Sequence, residues 1–299
     1  MAWNSKGLAY WNDTDTAYIS VAFSWHLPEA YQLAIWFDSQ GYKVKAGGPA
    51  VWVRGKYLQD VAELGTDYPE AVTKHNPNAT FASRGCPVGC YFCIVPKMEG
   101  SEFTLIDDFT PRPILCDNNL SALPVDFQNH VINKYEKCKV PLMDAQSGFE
   151  PMTFNDDTYH RWKEVLRGPW RFAFDEMQEA GDVQKMMRIL KSVPSYLKRV
   201  YVLIGNEPIA ECFERITKVI DWGGEPHCQP YMSLNTLVRR PRVRHDWTEQ
   251  KLMDMARWAN RWIWRKTPIH EYKPRKNESR PFADGIKPPT SIQLPVLTN

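Results

Sequence analysis

Two hydrophobic rhythms take turns along the chain. Residues 17–23 (AYISVAF) are a short β-rich run, and such runs read as strands. Pro28 then stands where a helix can start, and residues 29–39 carry apolar side chains at Ala30, Leu33, Ala34 and Phe37, the spacing of one helix face. Gly41 closes that helix, and 42–53 holds a second β-rich stretch broken by Gly47, Gly48 and Pro49. Strand, helix and strand in that order predict a parallel βαβ unit. Residues 55–79 read as a short helix and a loop.

From residue 80 the alternation becomes regular. Strands are expected at 80–83, 113–116, 140–144, 170–174, 199–204 and 227–234. Helices are expected at about 125–137, 156–166, 182–192, 208–221 and 248–264, the last capped by Asp246 or Thr248. Each strand ends in a polar cluster: CPVGC, DNN, QSGFE, DE, GNE and SLN. Alternating βα units imply a parallel sheet with helices outside and ligands beyond the carboxyl ends of the strands. Six units are two short of a full (β/α)8 barrel. The expected fold is α/β: a partial (β/α)6 barrel over 80–235, a small βαβ extension over 1–79, and a basic helix with an extended tail over 236–299.

The chain has 299 residues, of which 37 are Lys or Arg and 35 are Asp or Glu. No apolar run reaches the 18 residues of a membrane span, and the first twenty residues lack an apolar signal core. The cytoplasm is the expected compartment, with no membrane partner. Charge is uneven: between Arg239 and Arg280, 13 Lys and Arg face 5 Asp and Glu, against 24 and 30 elsewhere. Arg257, Arg261 and Arg265 recur every four residues beside Trp258 and Trp262. Arginines interleaved with aromatics suit phosphate contact and base stacking. The same residues also suit a helix that packs its tryptophans inward and turns its arginines to solvent.

Seven cysteines, an odd number in a chain this long, argue against a disulfide framework. Cys86, Cys90 and Cys93 crowd into eight residues as C-x3-C-x2-C. Three thiolates can hold three corners of an iron–sulfur cube, and no fourth cysteine lies nearby to close it. Ferredoxin loops differ in spacing and add a fourth ligand. A structural zinc site also wants a fourth ligand, and the nearest candidate, His75, precedes the strand. Cys116, Cys138, Cys212 and Cys228 read as ordinary buried thiols.

The triad, with aromatic Phe92 just before its last cysteine and a βα array behind it, resembles the signature of the radical S-adenosylmethionine (radical SAM) superfamily over roughly residues 80–235. The resemblance implies that Cys86, Cys90 and Cys93 bind a [4Fe–4S] cluster whose open iron takes S-adenosylmethionine (SAM). It implies reductive cleavage of SAM, hydrogen abstraction from a substrate, and a reductant such as flavodoxin or ferredoxin. Phe92 would contact the adenine. Asp117, Asn118 and Asn119, at the second strand's end, would receive the SAM amino group, replacing the Gly-Gly-Glu of many relatives. Asp175 and Glu176 could bind ribose hydroxyls, and Gly205 and Asn206 would lie near the adenine. For these polar residues a turn or helix-cap role stands beside the ligand role.

Residues 17–53 resemble one βαβ piece of the cobalamin-binding domains that precede some radical SAM barrels. The loop Ser24-Trp25-His26-Leu27-Pro28 lacks the Asp and Gly of the cobalt-binding pattern, so the segment reads as a remnant that extends the barrel sheet. The basic C-terminal region makes a nucleotide or a nucleic-acid base a candidate substrate. The other reading is a nucleic-acid-binding protein with a structural metal loop.

Overall fold

The computed structural model describes residues 5–65, 70–146 and 148–273. β1 (Leu8–Asn12) and β2 (Thr16–Val21) form an antiparallel hairpin with Leu8 opposite Val21. Asp13 closes its turn, accepting the Thr16 N–H at 3.1 Å. α1 (Leu27–Ser39) buries Leu27, Ala30, Leu33, Ala34 and Phe37, the expected face. β3 (Lys43–Gly47) lies parallel to β2. α2 (Pro49–Arg54) follows, and β4 (Glu63–Leu64) pairs parallel to β3. The order is β1-β2-β3-β4, over an apolar core of its own.

The βαβ expectation holds for β2, α1 and β3, with three corrections. The hairpin strand β1 was not read from LAYWN. The second β-rich stretch stops at Gly47, because Gly48 has φ +97° and Pro49 opens a helix. A Cβ on Gly48 would come within 2.7 Å of the Val21 carbonyl. Finally, this sheet does not extend the parallel strands downstream; it stands as a separate sheet. α3 (Ala71–His75) leads out of the unit, and the buried His75 ring bonds Ser5 and Ser20 at 2.5 and 2.9 Å. That engagement removes His75 as a ligand for the distant cysteines.

β5 (Ala79–Thr80) begins the second region. β6 (Ser83–Arg84), α4 (Val95–Met98) and β7 (Thr104–Leu105) enclose the cysteine loop, with β6 and β7 antiparallel. β8 (Ile114–Leu115), α5 (Val125–Cys138) and β9 (Asp144–Ala145) follow, and β5, β8 and β9 form a parallel sheet in that order. Then come α6 (Asp156–Trp162), β10 (Trp170–Ala173), α7 (Ala180–Ile189), β11 (Lys198–Ile204), α8 (Ile209–Asp221) and β12 (Glu225–Pro230). β10, β11 and β12 form a second parallel sheet. α9 (Glu249–Asn260) closes the described fold, its cap Thr248 accepting the Lys251 N–H.

All six expected βα strands are present, in chain order. The fold class is mixed α/β, and among the described residues no sheet closes into a barrel. The two parallel sheets meet where the Phe149 N–H donates to the Arg171 carbonyl at 2.9 Å and Arg167 N–H to the Leu142 carbonyl at 2.8 Å. Backbone approaches this close require Gly148, where a Cβ would sit 2.2 Å from the Arg171 carbonyl oxygen. The tail expected beyond Lys273 lies outside the described residues.

Alternation along β11 separates its two faces. Lys198, Val200, Val202 and Ile204 are buried, and Arg199, Tyr201 and Leu203 are half-buried. α8 packs Cys212, Ile216 and Val219 inward with Arg215. Arg215 is fully buried and ties three strand-end groups: the carbonyls of Phe174 (2.7 Å) and Leu203 (3.0 Å) and the Glu207 carboxylate (2.6 Å). Removing one partner of such a pair leaves a buried charge and orphaned carbonyls. Arg215→Ala is expected to lower stability by about 3–5 kcal/mol in urea titrations. A loss under about 1 kcal/mol would mean these strand ends do not depend on the pair.

Candidate functional site

The cysteine loop is rooted by glycine and by one carboxylate. Gly85 has φ +85°, and a Cβ there would meet the Glu102 carbonyl oxygen at 2.1 Å. Gly89 also adopts positive φ. Glu99, just past α4, accepts from Arg84 Nε at 3.0 Å and a terminal Arg84 nitrogen at 2.7 Å. It also accepts the Gly85 N–H at 3.1 Å and the Asn118 amide at 2.6 Å. Burial would raise this carboxyl, but the Arg84 guanidinium and the two N–H donors outweigh it and hold it below its ordinary value.

Cys86, Cys90 and Cys93 are free thiols, each partly exposed. Burial pushes Cys90 up to about 12, aided by the charges of Glu150, Cys93, Asp175 and Cys86. Burial also raises Cys93, against a Val95 N–H that donates to its sulfur at 3.4 Å. The three sulfurs therefore share one electrostatic neighbourhood on one loop. Among the described residues no group of three or more His, Cys, Asp or Glu side chains is arranged to hold one metal ion. Of the remaining thiols Cys212 and Cys228 are buried, as expected, while Cys116 is half-buried and Cys138 is exposed on α5.

The sequence-predicted partners divide into two groups. Asp117 is buried with its carboxylate turned to the chain, accepting the Ala82 N–H at 2.8 Å and the Ser83 hydroxyl. Asn119 is buried and caps a turn, accepting the Ala122 N–H at 3.1 Å. Glu176 is the cap of a reciprocal capping box with Glu179. Asn118 reaches the cysteine loop through Glu99 and the Gly85 carbonyl (3.2 Å). Asp175 accepts the Leu203 N–H at 3.0 Å and lies in the field of Cys90 and Cys93. Gly205 has φ +94°, with a Cβ there 2.8 Å from Leu252. Asn206 donates to the Tyr91 hydroxyl on the cysteine loop and accepts from Arg244 at 3.0 Å. Phe92 is half-buried, edge-on to exposed Tyr91 at 5.1 Å between ring centroids.

Three acids meet beside the thiols. Burial raises Glu150, Asp175 and Glu179, and each is raised further by at least one neighbouring carboxylate; Asp175 reaches about 7. The Glu150 carboxylate accepts from the Met152 backbone, which lowers it against the burial and the neighbouring acids that raise it. Reading the sequence missed Glu150, Glu99, Glu179, Tyr91 and Arg244 as site residues. Glu150 was legible only as part of the QSGFE strand end, and Glu99 carried no signal, because its partners lie 14–19 residues away.

The expected arginine stripe is broken. α9 ends at Asn260, and Trp262 takes φ +54°, so Arg265 leaves the line of Arg257 and Arg261. Trp258 is buried, its indole donating to the Thr267 carbonyl at 2.7 Å. The Trp262 indole donates to Glu225 at 3.0 Å, and Arg265 pairs with the same carboxylate. These aromatics serve packing before any base stacking. No helix among the described residues is long and apolar enough to cross a membrane. No protein family and no curated protein matches this chain in comparison with known sequences.

Burial raises Asp117 to about 7, against the lowering hydrogen bonds from Ser83 and Ala82. The folded state therefore keeps a proton that the unfolded chain has lost, and this contribution to stability falls as pH rises from about 4 to about 7. Asp117→Asn is expected to gain stability relative to the parent across that window in urea titrations. A difference independent of pH would contradict the assignment.

Proposed function

We propose that this chain is a radical SAM enzyme whose Cys86, Cys90 and Cys93 hold a [4Fe–4S] cluster. The observation that carries the reading is the C-x3-C-x2-C loop after β5, the first of six parallel strands, with acids from two later strand ends beside its thiols. The donor set fits: three free thiols on one loop, a sulfur receiving a backbone N–H, and a tight glycine turn that a Cβ would fill. The two parallel sheets read as successive staves of an open (β/α)6 barrel. When bound, the cluster and SAM supply a 5′-deoxyadenosyl radical that abstracts hydrogen from the substrate.

The chain's own groups would shape that chemistry. Glu99 holds the loop against β6 and Asn118. Glu150, with no side-chain partner among the described residues and in the field of Cys90, is better placed to receive an ammonium than Asp117 or Asn119, whose oxygens brace the chain. Asp175 adds negative charge next to it. Tyr91, Phe92 and Asn206 form an aromatic and amide edge suited to a purine. The reading requires a reductant of the flavodoxin or ferredoxin class.

Anaerobic reconstitution with iron and sulfide is the test. The parent is expected to bind about four irons, to show visible absorbance that bleaches on reduction, and to release 5′-deoxyadenosine from SAM. A variant with all three cysteines changed to Ser is expected to do none of this. Zinc uptake without SAM cleavage would overturn the proposal in favour of a structural metal loop. Glu150→Gln is expected to weaken SAM binding about tenfold, the worth of one charge-assisted hydrogen bond. Unchanged affinity in equilibrium dialysis would remove Glu150 from the site.

A further inference from the structure

We infer that the inner face of the second parallel sheet carries an oxyanion site, built by Arg199 and His227, that takes the carboxylate or phosphate of a small acidic ligand. The register puts Arg171, Arg199 and Glu225 on one rung, and Ala173, Tyr201 and His227 on the next rung of the same face. Charge on this face is mostly settled. Arg171 forks onto Asp144 at 2.6 and 2.7 Å and bonds the Tyr201 hydroxyl. Glu225 is held by Arg265 and by the Trp262 indole. Among the described residues neither the Arg199 guanidinium nor the His227 ring makes a hydrogen bond; the Tyr201 ring stands edge-on to His227 at 5.1 Å between centroids.

One guanidinium is thus left over, half-buried and unpaired, beside an imidazole with free ring nitrogens. Both line a cavity of about 180 Å³ with Glu225, Pro226, Asn260 and Trp262. That volume exceeds a water's share of about 30 Å³ several-fold and admits a carboxylate or phosphate group. A guanidinium fork matches two oxygens of such a group, and the imidazole adds a third donor. Burial, then Arg199 and Arg171, push His227 down to about 4, so the neutral ring keeps one N–H to donate beside the guanidinium.

The site also limits the ligand. Arg199 lies five residues before the end of β11, roughly 16 Å below it at about 3.3 Å per residue. A cavity of this size, walled by Glu225, Pro226, Asn260 and Trp262, holds a single small anionic group. The anion site stands on geometry alone; its assignment to the substrate rests on the radical SAM reading.

The full chain is titrated separately with inorganic phosphate and with acetate, following the His227 ring proton by NMR. A saturable shift with at least one anion is expected, tighter for phosphate if the ligand is a phosphate ester and tighter for acetate if it is a carboxylate. Arg199→Gln is expected to weaken that binding at least tenfold, with Arg240→Gln, on the exposed basic segment, as an unaffected control. Should Arg199→Gln fail to fold, His227→Gln read by calorimetry is expected to show the same loss. No saturable binding of either anion, or equal affinity in the variants, overturns the inference. Anion binding intact in a protein that never cleaves SAM would retain this site and sink the enzyme reading instead.

Discussion

The carboxylate of Glu99 is the point where three segments of the chain are made to agree. It takes the fork of Arg84, the N–H of Gly85 and the amide of Asn118. Regular pairing at the base of the cysteine loop amounts to two residues on each strand, too little to fix the 19 residues between them by itself. A half-buried carboxylate with four donors is a much stiffer anchor, because any displacement uncovers a charge in a poorly solvated site. The loop's thiols, the end of β8 and the start of the loop therefore move together or not at all. Gly85 makes the geometry attainable, since the Glu102 carbonyl occupies the space of a side chain.

Above that anchor the charges do not balance. Glu150, Asp175 and Glu179 are all raised by burial and by one another, and Cys90 and Cys93 share their field. Fully buried Arg215 compensates from below, bonded to Glu207 and two strand-end carbonyls. Acids and thiols raised by burial and by one another favour the arrival of positive charge: metal ions on the sulfurs, an ammonium or a sulfonium beside the carboxylates. On the face of the second sheet that carries Arg199 the sign reverses, with its guanidinium as the surplus charge. A ligand positive at one end and acidic groups bound at the other would satisfy both.

The alternation of short β-rich runs, polar clusters and amphipathic helices made the six parallel strands legible, most plainly at β10 and β11. The same rule failed where length or conformation broke it. The edge strand LAYWN pairs antiparallel, outside the βα alternation. β6 (Ser83–Arg84) and β7 (Thr104–Leu105) pair antiparallel with each other, again outside that alternation. The arginine stripe assumed a helix continuing past Asn260, but a left-handed Trp262 ends it. Motif spacing found the thiols, since C-x3-C-x2-C is local. Glu99 and Arg199 could not be found that way: their meaning comes from partners, or from the lack of partners, brought near by the fold. Asp117 and Asn119 show the opposite error, a polar strand end that caps and braces the chain while Asn118 alone among the three bonds the loop.

The thiol triad is consequential only if it leaves one iron unligated by protein. Mössbauer spectra of the reconstituted protein, with and without SAM, would report that iron. One iron distinct from the other three, shifting when SAM is added, is the expected result. Four irons that remain equivalent in the presence of SAM, or a protein that takes up no iron at all, would contradict it.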